Sequence, residues 1–125
     1  MSVVYDTAVL VGADRSDRDV WADHRLRLEM GAVPATTAPV VAQVSRSPWQ
    51  VQLRRFLRGC EIIPFSPEQG HEVGMLLGQA GTSDVVDAHV AVVAAPTHST
   101  ILTSDLKDFR QLSNHLSAAP PLRRA

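Results

Sequence analysis

The sequence predicts an α/β domain with a short central parallel sheet of four to five strands and helices on both faces. Three observations carry that expectation. Short β-favouring apolar runs at residues 2–5, 33–36, 60–65 and 100–102 alternate with longer helix-compatible stretches, and parallel neighbours need such crossovers. The segment DVVDAHVAVVAA, residues 84–95, is apolar on almost every side, which marks an interior helix. At 125 residues and 45% hydrophobic content, the chain can bury one core without staples. The expected division is one domain over residues 1–116 and a flexible Pro-rich tail over 117–125.

Taken in order, the first run stops at Asp6-Thr7 before the helix-compatible AVLVGA, so a buried strand delivers Asp6 at its end. Ser16 with Asp19 three places on resembles a helix start, and that helix ends near Gly31 with Val20, Trp21 and Leu28 turned to the core. After the second strand, Pro39 suits the first turn of a helix carrying Val40, Val41, Gln43 and Val44, and Pro48 starts another that Gly59 ends. The third strand begins at Cys60, read as a core residue, and Pro67 then opens a helix that fades over residues 78–81. Thr82 and Ser83 are candidate caps for the apolar helix, and the fourth strand leads through Thr103 and Ser104 to Asp105 and the helical LKDFRQLSNHL.

Composition narrows the function. A net charge of -1 gives no global attraction to a polyanion, so nucleic-acid binding needs a local basic patch. Eleven of the twelve basic residues are arginine, which fits either a codon bias or a use of the planar guanidinium fork on phosphate. Cys60 is the single cysteine, which excludes an internal disulfide and any multi-cysteine metal cage. The first residues lack a basic start followed by a long apolar run, and no stretch reaches membrane-spanning length, so a cytoplasmic location is expected.

The chemistry points to acids. Asp6 and Asp105 each end a short apolar strand, and open parallel sheets place ligand sites beyond the carboxyl ends of their strands. Each also precedes a helix, where aspartate is a favoured N-cap, so capping and ligation both stand for these two. Asp87 lies within the apolar helix, where an unpaired carboxylate costs several kcal/mol, roughly, unless a metal or hydrogen bonds compensate. Asp84, three residues earlier, shares its face and can serve as either cap or ligand. Converging carboxylates call for a divalent counterion, and an all-oxygen cluster suits Mg²⁺ or Mn²⁺ better than zinc.

The blocks VVYDT, PVVAQV, DAHVAVVA and ILTSDLKDF, spread over residues 3–109, resemble the four-part acidic signature of PIN-domain ribonucleases, in particular VapC-type toxins. On that resemblance Asp6, Asp87 and Asp105 correspond to three of the four acids and bind the metal. Thr7 and Ser104 match the adjacent hydroxyl positions, and Asp108 a frequent accessory acid. The chain departs from the pattern at the second acid, where Gln43 stands. Glutamine keeps a carbonyl acceptor but lacks the charge and cannot act as a base.

The resemblance implies a PIN-like three-layer fold, RNA cleavage, a homodimer and a small antitoxin partner, for which the exposed Leu26 and Met30 are candidate contacts. Arg46, Arg54, Arg55 and Arg58, near Trp49, could track an RNA backbone or simply form a solvated helix face. His71 and His89 lack a paired nucleophile and are read as structural. Two rivals remain: a PIN-like RNA- or antitoxin-binding module with weak catalysis because of Gln43, and a receiver-type phosphoacceptor, which the absence of an acid beside Asp6 disfavours.

Overall fold

The computed structural model describes residues 2–125. Along the chain run β1 (Val3–Tyr5), α1 (Thr7–Asp14), α2 (Arg18–Glu29), β2 (Ala35–Thr37), α3 (Ala38–Val44), α4 (Val51–Leu57), β3 (Glu61–Ile63), α5 (Pro67–Ala80), α6 (Val85–Ala94), a 3₁₀ turn (Ala95–Thr97), β4 (Thr100–Thr103), α7 (Leu106–Ser113) and β5 (Leu122–Arg124). The sheet is five-stranded, ordered β3-β2-β1-β4-β5, and every pairing is parallel. The chain steps outward from β1 through β2 to β3 and then returns to the other side of β1 with β4. That reversal opens a crevice beyond the carboxyl ends of β1 and β4.

The C-terminal segment corrects the sequence expectation. Residues 117–125 are not a loose tail: 122–124 form β5 beside β4, in the register Ile101↔Leu122 and Thr103↔Arg124. Without them β4 would be an edge with open backbone groups. Proline suits this entry because Pro121 contributes a carbonyl, accepting from the Ile101 N–H at 2.8 Å, and needs no N–H of its own.

Local chemistry moves several predicted boundaries. Asp17, not Ser16, caps α2, accepting from the N–H groups of Asp19 and Val20, while Ser16 takes a left-handed turn at φ 60°. Leu28 is 38% exposed rather than in the core, whereas Val20 and Trp21 pack against it as expected. Pro48 lies ahead of α4, because the Gln50 side chain folds back to accept from the Arg46 and Ser47 N–H groups and delays the helix. The Ser66–Gln69 capping box starts α5, which runs through Gly78 and stops at Gly81, where φ is 70°. Asp84 caps α6 in place of Thr82 or Ser83.

The core gathers Tyr5, Leu10, Val40, Phe56, Val90, Ile101 and Phe109 around the sheet. Cys60 is half-buried against it, and burial pushes its thiol up to about 12. On the face of β1 covered by α2 and α4, Tyr5, Trp21, His24 and Phe56 form an aromatic cluster, with His24 stacked on Phe56 at 3.8 Å. The Tyr5 hydroxyl accepts from Arg27 at 3.2 Å and so donates to His24 Nδ1 at 3.0 Å. Gly59 is required here, since a Cβ would lie 2.8 Å from His24 Nε2.

Candidate metal centre

The residue after β1 is Asp6, whose N–H donates to the Leu102 carbonyl at 3.0 Å and holds it at the crevice. Asp105 enters the same crevice two residues beyond β4. Each occupies the N-cap position of the following helix, yet neither side chain accepts a capping hydrogen bond. Asp84 does cap, accepting from the Asp87 N–H at 3.0 Å. The capping alternative therefore holds for Asp84 and fails for Asp6 and Asp105.

Helix α6 completes the group by bringing Asp87 in from its first turn. One carboxylate oxygen from each of Asp6, Asp87 and Asp105 lies within 4.8 Å of the others. Asp6 is 1% exposed, Asp87 is buried and Asp105 is open to solvent. Asp6 Oδ2 accepts from Thr103 Oγ1 at 2.7 Å, and the same hydroxyl accepts from the Asp105 N–H at 2.9 Å. Asp6 Oδ1 is buried with no hydrogen-bond partner.

The crowding is visible in the acidities. Burial raises the Asp6 carboxyl above the ordinary value, against the hydrogen bond from Thr103 and with help from the negative charges of Asp105 and Asp84. Asp87 is pushed up to about 7, first by burial and then by the charges of Asp6, Asp84, Asp105 and Asp108. At this spacing two ionised carboxylates repel by on the order of 3 kcal/mol in a partly buried setting. An orphaned buried oxygen, a purely carboxylate donor set and an uncompensated charge are what a hard divalent cation needs, so the residues fit Mg²⁺ or Mn²⁺.

Gln43, exposed on α3, accepts from Thr7 Oγ1 at 2.9 Å and so ties the first turn of α1 to α3. Asp84, Asp87 and Asp108 line one cleft of about 340 Å³ with Thr82 and Gln111. Ser104 is exposed, and the hydroxyl that holds Asp6 belongs to Thr103, which sequence reasoning alone does not single out. Its signal is register: Tyr5 pairs with Leu102, which sets Thr103 opposite Asp6.

The four predicted RNA-binding arginines have separate surroundings. Arg46 donates to the Ala42 and Ser45 carbonyls at the end of α3, and Arg55 lies over the ring of Trp21 rather than Trp49. Arg54 and Arg58 are exposed on and just beyond α4, and Trp49 is exposed in the preceding loop. His89 is buried and stacked on Phe65. Its Nε2 donates to Gln69 Oε1, because that oxygen already accepts the Ser66 N–H. His71, Leu26 and Met30 are exposed. No helix among the described residues is long and apolar enough to cross a membrane.

Fold and site together define a PIN-like α/β domain with an acidic crevice at the sheet's switch point. No family model and no curated protein matches the chain. Among solved structures it is similar to a chain of VapBC2 from Rickettsia felis, crystallised bound to a DNA fragment from their promoter. That likeness has a TM-score of 0.72 and 24% identity, and covers 100% of this chain and 99% of that one. PAE2754 from Pyrobaculum aerophilum is similar at a TM-score of 0.58 and 20% identity, over 95% of this chain and 90% of that one. At these identities the likeness establishes the fold.

Proposed function

We propose that this chain is a VapC-type, Mg²⁺- or Mn²⁺-dependent endoribonuclease, acting in the cytoplasm as a homodimer and silenced by a small antitoxin. The observation that carries the reading is the convergence of Asp6, Asp87 and Asp105 with a buried, unpartnered Asp6 oxygen. The VapBC2 likeness over the whole chain supports the toxin assignment.

Asp6, Asp87 and Asp105 would hold the cation. When bound, it lowers the pKa of a water and neutralises the scissile phosphate. Thr103 fixes the Asp6 carboxylate by donating to Oδ2 and is itself fixed by the Asp105 N–H. Thr7 orients Gln43 by donating to its carbonyl, leaving the amide N–H groups directed by that bond. Asp84 and Asp108 add negative charge at the cleft and raise the affinity for a cation. Gln43 cannot accept a proton, so it leaves the three aspartates as the acids of the centre.

The test is cleavage of a structured RNA by wild type, Asp87→Asn and Gln43→Glu proteins, with Mg²⁺ or Mn²⁺ and with EDTA. Metal-dependent cleavage by wild type that Asp87→Asn loses and Gln43→Glu keeps or enhances is expected. Cleavage by Gln43→Glu alone would instead make the natural chain an RNA- or antitoxin-binding module, a reading favoured by the engagement of Gln43 with Thr7. Equal, metal-independent signals from all three would sink the nuclease reading. A short reading frame immediately upstream, encoding a small DNA-binding protein with a disordered tail, is expected for the antitoxin.

A further inference from the structure

Helix α2 presents two different surfaces. Asp19 and Asp23, one turn apart, line a small pocket with Arg27, Leu102, Arg123 and Arg124, where carboxylates and guanidinium groups are mixed. Arg18, Trp21, Ala22 and Arg25 lie on a different side of the same helix, at the spacing of one helical face. They meet Gln52 and Arg55 of α4 across an open groove of about 420 Å³, and no carboxylate lines it.

The groove has a fixed floor. Trp21 Nε1 donates to the Ala13 carbonyl at 3.1 Å, and the indole packs edge-on against Phe56 at 5.1 Å. The Arg55 guanidinium lies 5.9 Å from the Trp21 ring centroid and donates to Gln52 at 3.4 Å. Stacking on an indole orients the guanidinium and leaves its other N–H groups free to act as donors. Arg18 and Arg25 are exposed on the facing wall.

We infer that this α2–α4 groove, through Arg18, Arg25 and Arg55, binds the phosphates of a single-stranded RNA. The inference rests on the nuclease reading for the identity of the polyanion. Its physical basis is charge complementarity. The centre holds Asp6, Asp87 and Asp105 with Asp84 and Asp108 nearby, and the whole chain carries a net charge of -1. The aspartates and the overall charge do not attract a polyanion unaided, so a local cationic surface is needed, and this groove gathers three arginines with no carboxylate in its lining. Three planar forks facing one groove match phosphate oxygens in pairs.

The experiment measures binding of a fluorescein-labelled single-stranded RNA in EDTA, so that no cleavage occurs, as a function of salt. Each arginine–phosphate pair removed should reduce the slope of log K against log salt by about 0.7. The triple variant Arg18→Gln/Arg25→Gln/Arg55→Gln should lower the slope by about 2 and bind at least about tenfold more weakly at low salt. Arg18→Gln and Arg25→Gln singly, which leave the Trp21 stack intact, should each remove about one step. Arg54→Gln/Arg58→Gln should keep more affinity than the triple variant. Wild-type affinity and slope in the triple variant would overturn the inference, and so would loss of polyglutamate binding without loss of RNA binding, which would assign the groove to an acidic protein partner. Because cleavage with Mg²⁺ is scored separately, a failed groove and a failed nuclease reading give different results.

Discussion

Tyr5 and Asp6 are neighbours at the end of one strand, and their surroundings follow opposite rules. The Tyr5 hydroxyl is buried with a donor and an acceptor, and burial pushes its pKa up to about 12, so it stays a neutral phenol. Asp6, equally buried, has one oxygen satisfied by Thr103 and the other without a partner, and burial, helped by neighbouring carboxylates, raises its pKa. Folding normally satisfies buried polar groups. A polar cluster completed by the chain itself builds structure, whereas three converging carboxylates with an unpartnered oxygen could hold a metal ion.

That contrast can be broken from either side. The largest effect expected is on the aromatic side: Phe56→Ala removes the ring that packs on Tyr5, Trp21 and His24 and should cost about 3–5 kcal/mol in denaturant unfolding. On the acidic side, Asp87→Asn should reduce metal-dependent RNA cleavage by at least about 100-fold, more than removal of a supporting hydrogen bond does. Melted in EDTA at pH 8, the same variant should be at least as stable as wild type, because it removes a buried, repelled charge. Tyr5→Phe should cost about 1–2 kcal/mol, since it leaves His24 Nδ1 buried without its donor, and should leave the affinity for Mn²⁺ unchanged.

The most diagnostic effect is on pH. Asp87 binds its proton more tightly in the fold, with its value raised from 3.8 to about 7. The metal-free protein should therefore lose stability as pH rises through that window and lose no more above it. Asp6, raised for the same reason, acts in the same direction. Thermal melts in EDTA between pH 5 and pH 8 check this, and Asp87→Asn should flatten the dependence.

The parallel sheet was legible because alternating short apolar runs and helical stretches are local patterns. The Asp6 and Asp105 positions followed from strand ends, and Asp87 from its cost inside an apolar helix. What escaped depends on pairing between distant segments. Thr103 reaches Asp6 through the β1–β4 register, which no local pattern encodes. Pro120 and Pro121 disguise β5, because prolines ordinarily argue against a strand. Nearness in sequence groups Arg55 with Arg54 and Arg58, whereas the groove combines it with Arg18 and Arg25 from another helix. Ser16 yields its cap role to Asp17 by a single residue, a shift within the usual uncertainty of helix ends.

The most direct measurement is a calorimetric titration of Mn²⁺ into the metal-free wild type and the Asp87→Asn and Asp6→Asn variants at pH 7.5. If the three aspartates form a cation site, wild type binds Mn²⁺ saturably and each variant loses that isotherm or weakens it by at least about tenfold. Wild-type affinity in both variants would contradict the central claim and leave the aspartate cluster without a ligand.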